Sequence, residues 1–243
     1  MKPILLVRND AFETFGVAPK AFAGAGTEVA VWEAVHAQPV PSLDDVGGVV
    51  VFGSSYNVEH ADEQPFIQQV AALTREAVDR EVPYLGVCFG AQLLAWSMGA
   101  EVEKSPVREV GFEPIHPLEP AAADPLLSHY RDGDRVFQWH MDTFALPAGA
   151  ERLITGDAIE NQAYRLGPTT WGVQFHFEID EAEIALWLDA FDDDGGDVAA
   201  EWGKPRATIK AEARTHIAEH ERKGTEVFAR FASIVGRRTA ERT

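Results

Sequence analysis

The sequence predicts an α/β protein built on an open, mostly parallel central sheet with helices on both faces. Two observations predict it. In the first half, short β-branched runs alternate with stretches of helical periodicity, the order that builds parallel strands joined by crossover helices. Those runs are apolar throughout rather than alternating, as strands buried on both faces are. In the second half, strand-like segments follow one another across turn residues with no long helix between them. Mixed or antiparallel strands are therefore expected to continue the sheet, and the chain reads as helical from Asp180 onward.

Taken in order, Ile4 to Val7 is the first strand and stops at Arg8-Asn9-Asp10. Glu28 to Trp32 is the second, and the glycine-bounded run Gly47 to Gly53 the third. Pro65 to Arg80 reads as a helix because Phe66, Val70, Leu73 and Val78 fall near one face, with Glu and Arg between them. Pro83 to Val87 is the next strand and Ala91 to Met98 the next helix. Val107 to Ile115, Arg135 to Trp139, Arg152 to Thr155, Gln162 to Leu166 and Trp171 to Phe175 complete the strands. Asp192 to Gly196 reads as a loop. In the last helix Val227, Phe228, Phe231, Ile234 and Val235 form a stripe suited to docking on the core or to a homodimer contact. No repeat or clear linker appears. The expected organisation is one domain over residues 1–190, with a helical C-terminal extension, 191–243, packed on it.

Composition narrows the function. Lys and Arg total 21 against 39 Asp and Glu, a formal net charge of -18 in 243 residues. That balance repels phosphate backbones, so nucleic acid is not an expected partner. The N-terminal apolar run ends at Arg8, too short for a secretory core, and no apolar run is long enough to span a bilayer. A cytoplasmic location with no membrane partner is expected. The single cysteine excludes an internal disulfide and any CxxC metal or redox pair.

That cysteine nevertheless stands in a pattern with chemical meaning. Gly86-Val87-Cys88-Phe89-Gly90 lies where a strand signal meets a helix signal, the G-x-nucleophile-x-G spacing of a nucleophile elbow. A nucleophile on so sharp a turn occupies strained backbone, and glycines two before and two after let the neighbouring chain approach. The helix N-terminus favours a thiolate and leaves free N–H groups where an oxyanion would form. The bland alternative is a buried cysteine acting as a small hydrophobe. A base and an orienting group are the further needs. His176 and Glu178, in Gly172-Val173-Gln174-Phe175-His176-Phe177-Glu178, are two residues apart in an extended segment and so share a face. Alone, H-x-E is a weak signal.

Together these segments resemble class I, triad-type glutamine amidotransferases. The Gly-Val-Cys-Phe-Gly-Ala-Gln run at 86–92 is similar to their nucleophile segment, and Gly-Val-Gln-Phe-His-Phe-Glu at 172–178 to their second signature, with Phe177 where Pro is usual. Phe52-Gly53-Ser54 resembles the oxyanion strand but keeps one glycine of a usual pair. Trp139-His140-Met141-Asp142 resembles the substrate-contacting segment. The likeness covers about residues 45–180 and is that of a stand-alone domain similar to the amidotransferase domain of GMP synthases.

The resemblance implies a flavodoxin-like fold and a mechanism. Cys88 would attack the side-chain amide of glutamine to give a γ-glutamyl thioester. His176, oriented by Glu178, would move the protons, and the N–H groups of Gly53 and Phe89 would hold the oxyanion. Gln92, His140, Met141 and Asp142 would hold the substrate, and no cofactor or metal is implied. The released ammonia would pass to a separately encoded synthetase or to solvent. Two alternatives stay open: a γ-glutamyl hydrolase acting on γ-glutamyl amines or peptides, and a non-catalytic regulatory subunit of the same fold. The latter is motivated by Phe52 and Phe177.

Two other motifs carry less. His216-Ile217-Ala218-Glu219-His220 matches H-x-x-E-H, whose histidines would share a helix face and could grip zinc, but a third ligand is not evident. Gly24-Ala25-Gly26 ends in Val29 where a dinucleotide loop needs glycine.

Overall fold

A computed structural model describes residues 2–241. The first half lays down β1 (Ile4–Arg8), α1 (Ala18–Gly24), β2 (Val29–Glu33), β3 (Gly48–Val51), α2 (Pro65–Asp79), β4 (Tyr84–Val87) and α3 (Phe89–Ser97). Then come β5 (Val102–Pro117), β6 (Asp134–Phe144), β7 (Ala150–Gly156), β8 (Ala163–Leu166) and β9 (Thr170–Val173). The chain ends in helices α4 (Glu181–Asp193), α5 (Val198–Trp202) and α6 (Arg206–Glu241).

Among the described residues, nine strands join one sheet in the order β2-β1-β3-β4-β9-β8-β7-β5-β6. The neighbours from β2 through β9 pair in parallel, and those from β9 onward pair antiparallel. The sheet thus changes character at β9, which lies directly beside β4. The last residues of these two strands lead into Cys88 and into the His176 segment.

Side chains alternate across the sheet and define two cores. Ile4, Leu6, Val50 and Leu85 face α1 and α6, packing with Phe22, Phe228 and Phe231. Leu5, Val7, Val49 and Val51 face α2 and α3, packing with Val70, Leu73 and Leu94. A third cluster joins Phe112 and Phe137 of the antiparallel part to Ile184, Leu188, Val198 and Ile209 of the last three helices. The stripe of Val227, Phe228, Phe231, Ile234 and Val235 is buried in the core, so it docks within this chain. Among the described residues, no helix is long and apolar enough to cross a membrane.

Three elements differ from the sequence expectation, each for a local reason. Helix α1 has seven residues, is Ala-rich and opens on a proline turn, so its periodicity is faint. Strand β5 runs 16 residues instead of starting at Val107. Its first half is exposed and polar, and only pairing with β6 (Val102 to Phe144, Lys104 to Asp142) makes it a strand. Helix α4 continues through Asp193 into the segment expected as loop, and Gly195 then turns at φ +83°.

Candidate active site

Cys88 sits between β4 and α3 with φ +50° and ψ -107°. A side chain in that backbone region costs roughly 1–3 kcal/mol, so surrounding structure must enforce it. Three contacts do so. The Cys88 N–H donates to the Val173 carbonyl at 2.8 Å, tying the turn to β9. A Cβ on Gly86 would meet the Gly90 carbonyl at 2.4 Å, and one on Gly90 would meet the Val51 carbonyl at 2.1 Å. Both glycines are therefore required by backbone packing, which is the physical content of the G-x-C-x-G spacing.

His176 follows β9 on a short extended segment. Its Nδ1 lies 2.6 Å from Glu178 Oε1, and both side chains are buried. Burial disfavours the imidazolium, but the Glu178 carboxylate and the adjacent Cys88 outweigh it and hold the His176 pKa well above the usual histidine value. Remote elements fix the residue further. Its N–H donates to the Phe137 carbonyl of β6 at 2.9 Å. Its carbonyl lies 2.8 Å from Nε2 of His220 on α6. Its ring meets Trp187 of α4 edge-on, with centroids 4.8 Å apart at 82°.

Gly53 follows β3 and closes the other side. A Cβ there would lie 3.0 Å from His176 Cε1 and 3.9 Å from the Cys88 Cβ, so a side chain would press on both. Phe89 is the first residue of α3, where the leading N–H groups have no acceptor within the helix. The structure therefore brings Cys88, His176, Glu178, Gly53 and Phe89 together. The departures Phe52 and Phe177 do not obstruct them. The Phe52 ring packs on Phe15 at 4.8 Å, and that of Phe177 on Phe228 at 5.2 Å.

Gln92, His140 and Asp142 are placed differently. They lie in a buried polar chain behind Cys88, outside the lining of the cleft. Gln174 Nε2 reaches the Cys88 sulfur at 3.5 Å, and Gln92 Nε2 donates to Gln174 Oε1 at 3.1 Å and to the Asp142 carbonyl at 3.2 Å. His140 lies between that carbonyl, 3.1 Å from Nδ1, and Glu109 Oε2, 2.9 Å from Nε2. Asp142 pairs with Lys104 at 3.0 Å. Met141, half-buried, points to the opposite face of β6.

Gln174 was missed by sequence reasoning, though the signal was there: Gln174, His176 and Glu178 share one face by the same alternation. The open cleft above Cys88 has a lining of which the sequence motifs include only Trp139 among the apolar walls. Phe12, Trp139, Trp187 and Phe191 form its apolar walls, with Asp10 and Ser54 among the polar members. Beneath Glu178, Glu13 and Glu183 add two buried carboxyls. Burial, then its carboxylate neighbours, raise Glu13 well above the usual range. Burial chiefly raises Glu183 to about 7.

The H-x-x-E-H histidines serve the core and the site instead of gathering a ligand set. His220 holds the His176 carbonyl, and burial lowers its pKa to about 4. His216 packs on Phe112, with ring centroids 5.5 Å apart, and Glu219 pairs with Arg222 at 2.8 Å. Among the described residues, no three His, Cys, Asp or Glu side chains gather as a metal site.

Comparison with known proteins gives this geometry its context. The family model of class-I glutamine amidotransferases matches residues 19–184. A GMP synthase (glutamine-hydrolysing) from Porphyromonas gingivalis is 36% identical over 143 residues, 58% of this chain and 26% of that protein. The chain thus spans about a quarter of that relative's length. The glutamine amidotransferase-like protein YfeJ of Salmonella typhimurium is 29% identical over 177 residues, 71% of this chain and 74% of that protein. The crystal structure of a glutamine amido transferase from Methylobacillus flagellatus superposes with a TM-score of 0.86 at 30% identity, covering 96% of this chain and 95% of that one. With a family match over most of its length, the chain belongs to the class-I glutamine amidotransferases.

Proposed function

We propose that the chain hydrolyses the side-chain amide of a γ-glutamyl substrate, with glutamine as the reference compound, through a thioester on Cys88. The observation that carries the reading is the Cys88–His176–Glu178 constellation. A cysteine on a strained strand-to-helix turn adjoins a buried histidine whose pKa is raised by a carboxylate 2.6 Å away. The Cys88 sulfur attacks the γ-carbonyl carbon and His176 carries the thiol proton. The N–H groups of Gly53 and Phe89 stabilise the oxyanion, each such donor being worth on the order of 10²–10³ in rate. The C–N bond then breaks and His176 protonates the departing amine. Water, activated by His176, splits the thioester to glutamate. Gln174 holds the sulfur from behind, and Gln92, anchored through Asp142 and His140, holds Gln174.

Phe52 and Phe177, which motivated a non-catalytic alternative, turn into the core and leave the cleft open. This favours the catalytic reading. We also propose that ammonia set free from glutamine passes to a synthetase outside these 243 residues. The relatives named glutamine-hydrolysing GMP synthases, whose length far exceeds the matched part, support this.

Mass spectrometry of the protein quenched during turnover of glutamine tests the reading. A γ-glutamyl adduct on the Cys88 peptide is expected, and Cys88→Ala should lower glutamate release by on the order of 10⁴-fold or more. Turnover retained in Cys88→Ala would overturn the assignment.

A further inference from the structure

The cleft above Cys88 is built for more than ammonia. Its walls are Phe12, Trp139, Trp187 and Phe191, and Phe12 is 49% exposed. The Trp139 ring lies 6.1 Å from Trp187 and 5.9 Å from Phe191, so the aromatic surface is continuous. It begins at the reacting groups, because Trp187 is the ring that meets His176 edge-on at 4.8 Å. In the proposed mechanism His176 delivers the proton to the departing nitrogen. The leaving group therefore lies on the His176 side of Cys88, against this wall. Ammonia has no apolar surface to offer there, whereas an apolar amine removes its own surface and that of the rings from water.

Charge narrows the class further. None of the lining residues is Lys or Arg, while Asp10 and Asp194 supply carboxyl groups. Asp10 is held in place by the N–H groups of Phe12 and Ser55, at 2.9 Å and 2.8 Å. A leaving amine carrying a carboxylate, as in a γ-glutamyl peptide, would meet Asp10 and Asp194 with no Lys or Arg in the lining to pair with.

We infer that the leaving-group side of this site accepts hydrophobic, carboxylate-free amines, so that N-substituted γ-glutamyl amides of aromatic or bulky alkyl amines are its preferred substrates. The inference rests on the amide-hydrolase reading and extends it. The reaction balances without a co-reactant other than water: the γ-glutamyl C–N bond breaks, the Cys88 thioester forms, the amine leaves with a proton from His176, and water returns glutamate and the free thiol.

The test compares kcat/KM of the full chain on glutamine, γ-glutamylbenzylamide and γ-glutamylglycine, with the Cys88 adduct read by mass spectrometry for each. The benzylamide is expected to exceed both others by roughly 10- to 100-fold, the scale of burying one phenyl group. Phe191→Ala should bring the benzylamide-to-glutamine ratio down at least several-fold. Phe12→Ser, at an exposed position that leaves folding intact, should lower the same ratio to a smaller degree. Equal or better turnover of glutamine, or a ratio unmoved in both variants, overturns the inference while the amide-hydrolase reading stands. No Cys88 adduct with any of the three substrates overturns that reading and the inference with it.

Discussion

The two sides of the site are built by different physical means. The side of the proposed nucleophile, formed by β3, β4 and α3, relies on backbone fit. Cys88 is strained, and Gly86 and Gly90 admit carbonyls within 2.4 Å and 2.1 Å of where a Cβ would stand. The side of the proposed base, formed after β9, relies on polar and aromatic contacts from distant elements. Glu178, Phe137 of β6, His220 of α6 and Trp187 of α4 all hold His176. Helix α6 also approaches closely there, for a Cβ on Gly224 would sit 1.9 Å from the Phe177 carbonyl. The lesson is that a nucleophile elbow needs only its own strand, turn and helix plus the two strands that flank it, β3 and β9. The base needs the whole second half of the chain.

Substitutions on the two sides should therefore fail differently. The largest expected effect is on the base side. Glu178→Gln keeps the shape but loses the charge that holds His176, so turnover of the best substrate should fall by about 10²–10⁴-fold with an unchanged melting temperature. A melting temperature lowered along with the rate would mean that Glu178 is as much a structural support as the elbow glycines are. On the nucleophile side, Gly90→Ala forces a methyl group onto the Val51 carbonyl. Stability should drop by about 3 kcal/mol, the upper end for overpacking, and activity should go with it. Denaturant unfolding checks this, and an unaffected midpoint would show that the elbow has slack that the glycine spacing implies it lacks.

The smallest effect probes the carboxyl cluster under the base. Glu183 is raised to about 7, chiefly by burial, although its Oε1 accepts a 2.8 Å hydrogen bond from the Thr14 N–H. A carboxyl raised on folding favours the folded state below its unfolded value and loses that contribution as pH climbs through its folded value. The chain should therefore lose stability between about pH 4.5 and 7. Glu183→Gln removes the ionisation and should be more stable than wild type by about 3 kcal/mol above pH 7, with the gap closing toward pH 4.5. Glu13, raised in the same direction, leaves a residual slope in the variant. Urea midpoints measured across that range decide it, and a variant less stable at high pH would place the cost of burial elsewhere.

Much of the parallel half was legible because its strands are contiguous apolar runs and α2 shows a helical stripe. The gaps in the reading were segments whose structure comes from a partner. The first half of β5 is polar and becomes a strand only against β6, and α1 is too short and Ala-rich to announce itself. In the site, the G-x-C-x-G turn singles out Cys88 by local geometry, whereas His176 and Glu178, an i, i+2 pair that is a weak signal alone, take their roles from the family resemblance. Gln174 obeys the same alternation and could have been named with them. His220 appeared in the sequence as part of a metal-like pattern, but its work is to hold the His176 carbonyl, 44 residues back along the chain.

What the sequence determined by itself was the sheet's alternation of strand and helix, the strained cysteine turn and the shared face of histidine and carboxylate. These follow from steric and periodic rules acting within a few residues. What only the tertiary structure decided was which elements meet at the cysteine. The fold sets β9 beside β4, so the two segments proposed as catalytic adjoin. It turns Gln92, His140 and Asp142 into a buried support, and it swings α4 so that Trp187 and Phe191 wall the cleft. Those outcomes depend on strand order and on helix packing between residues far apart in the chain, and no local pattern encodes where a side chain's distant partner lies.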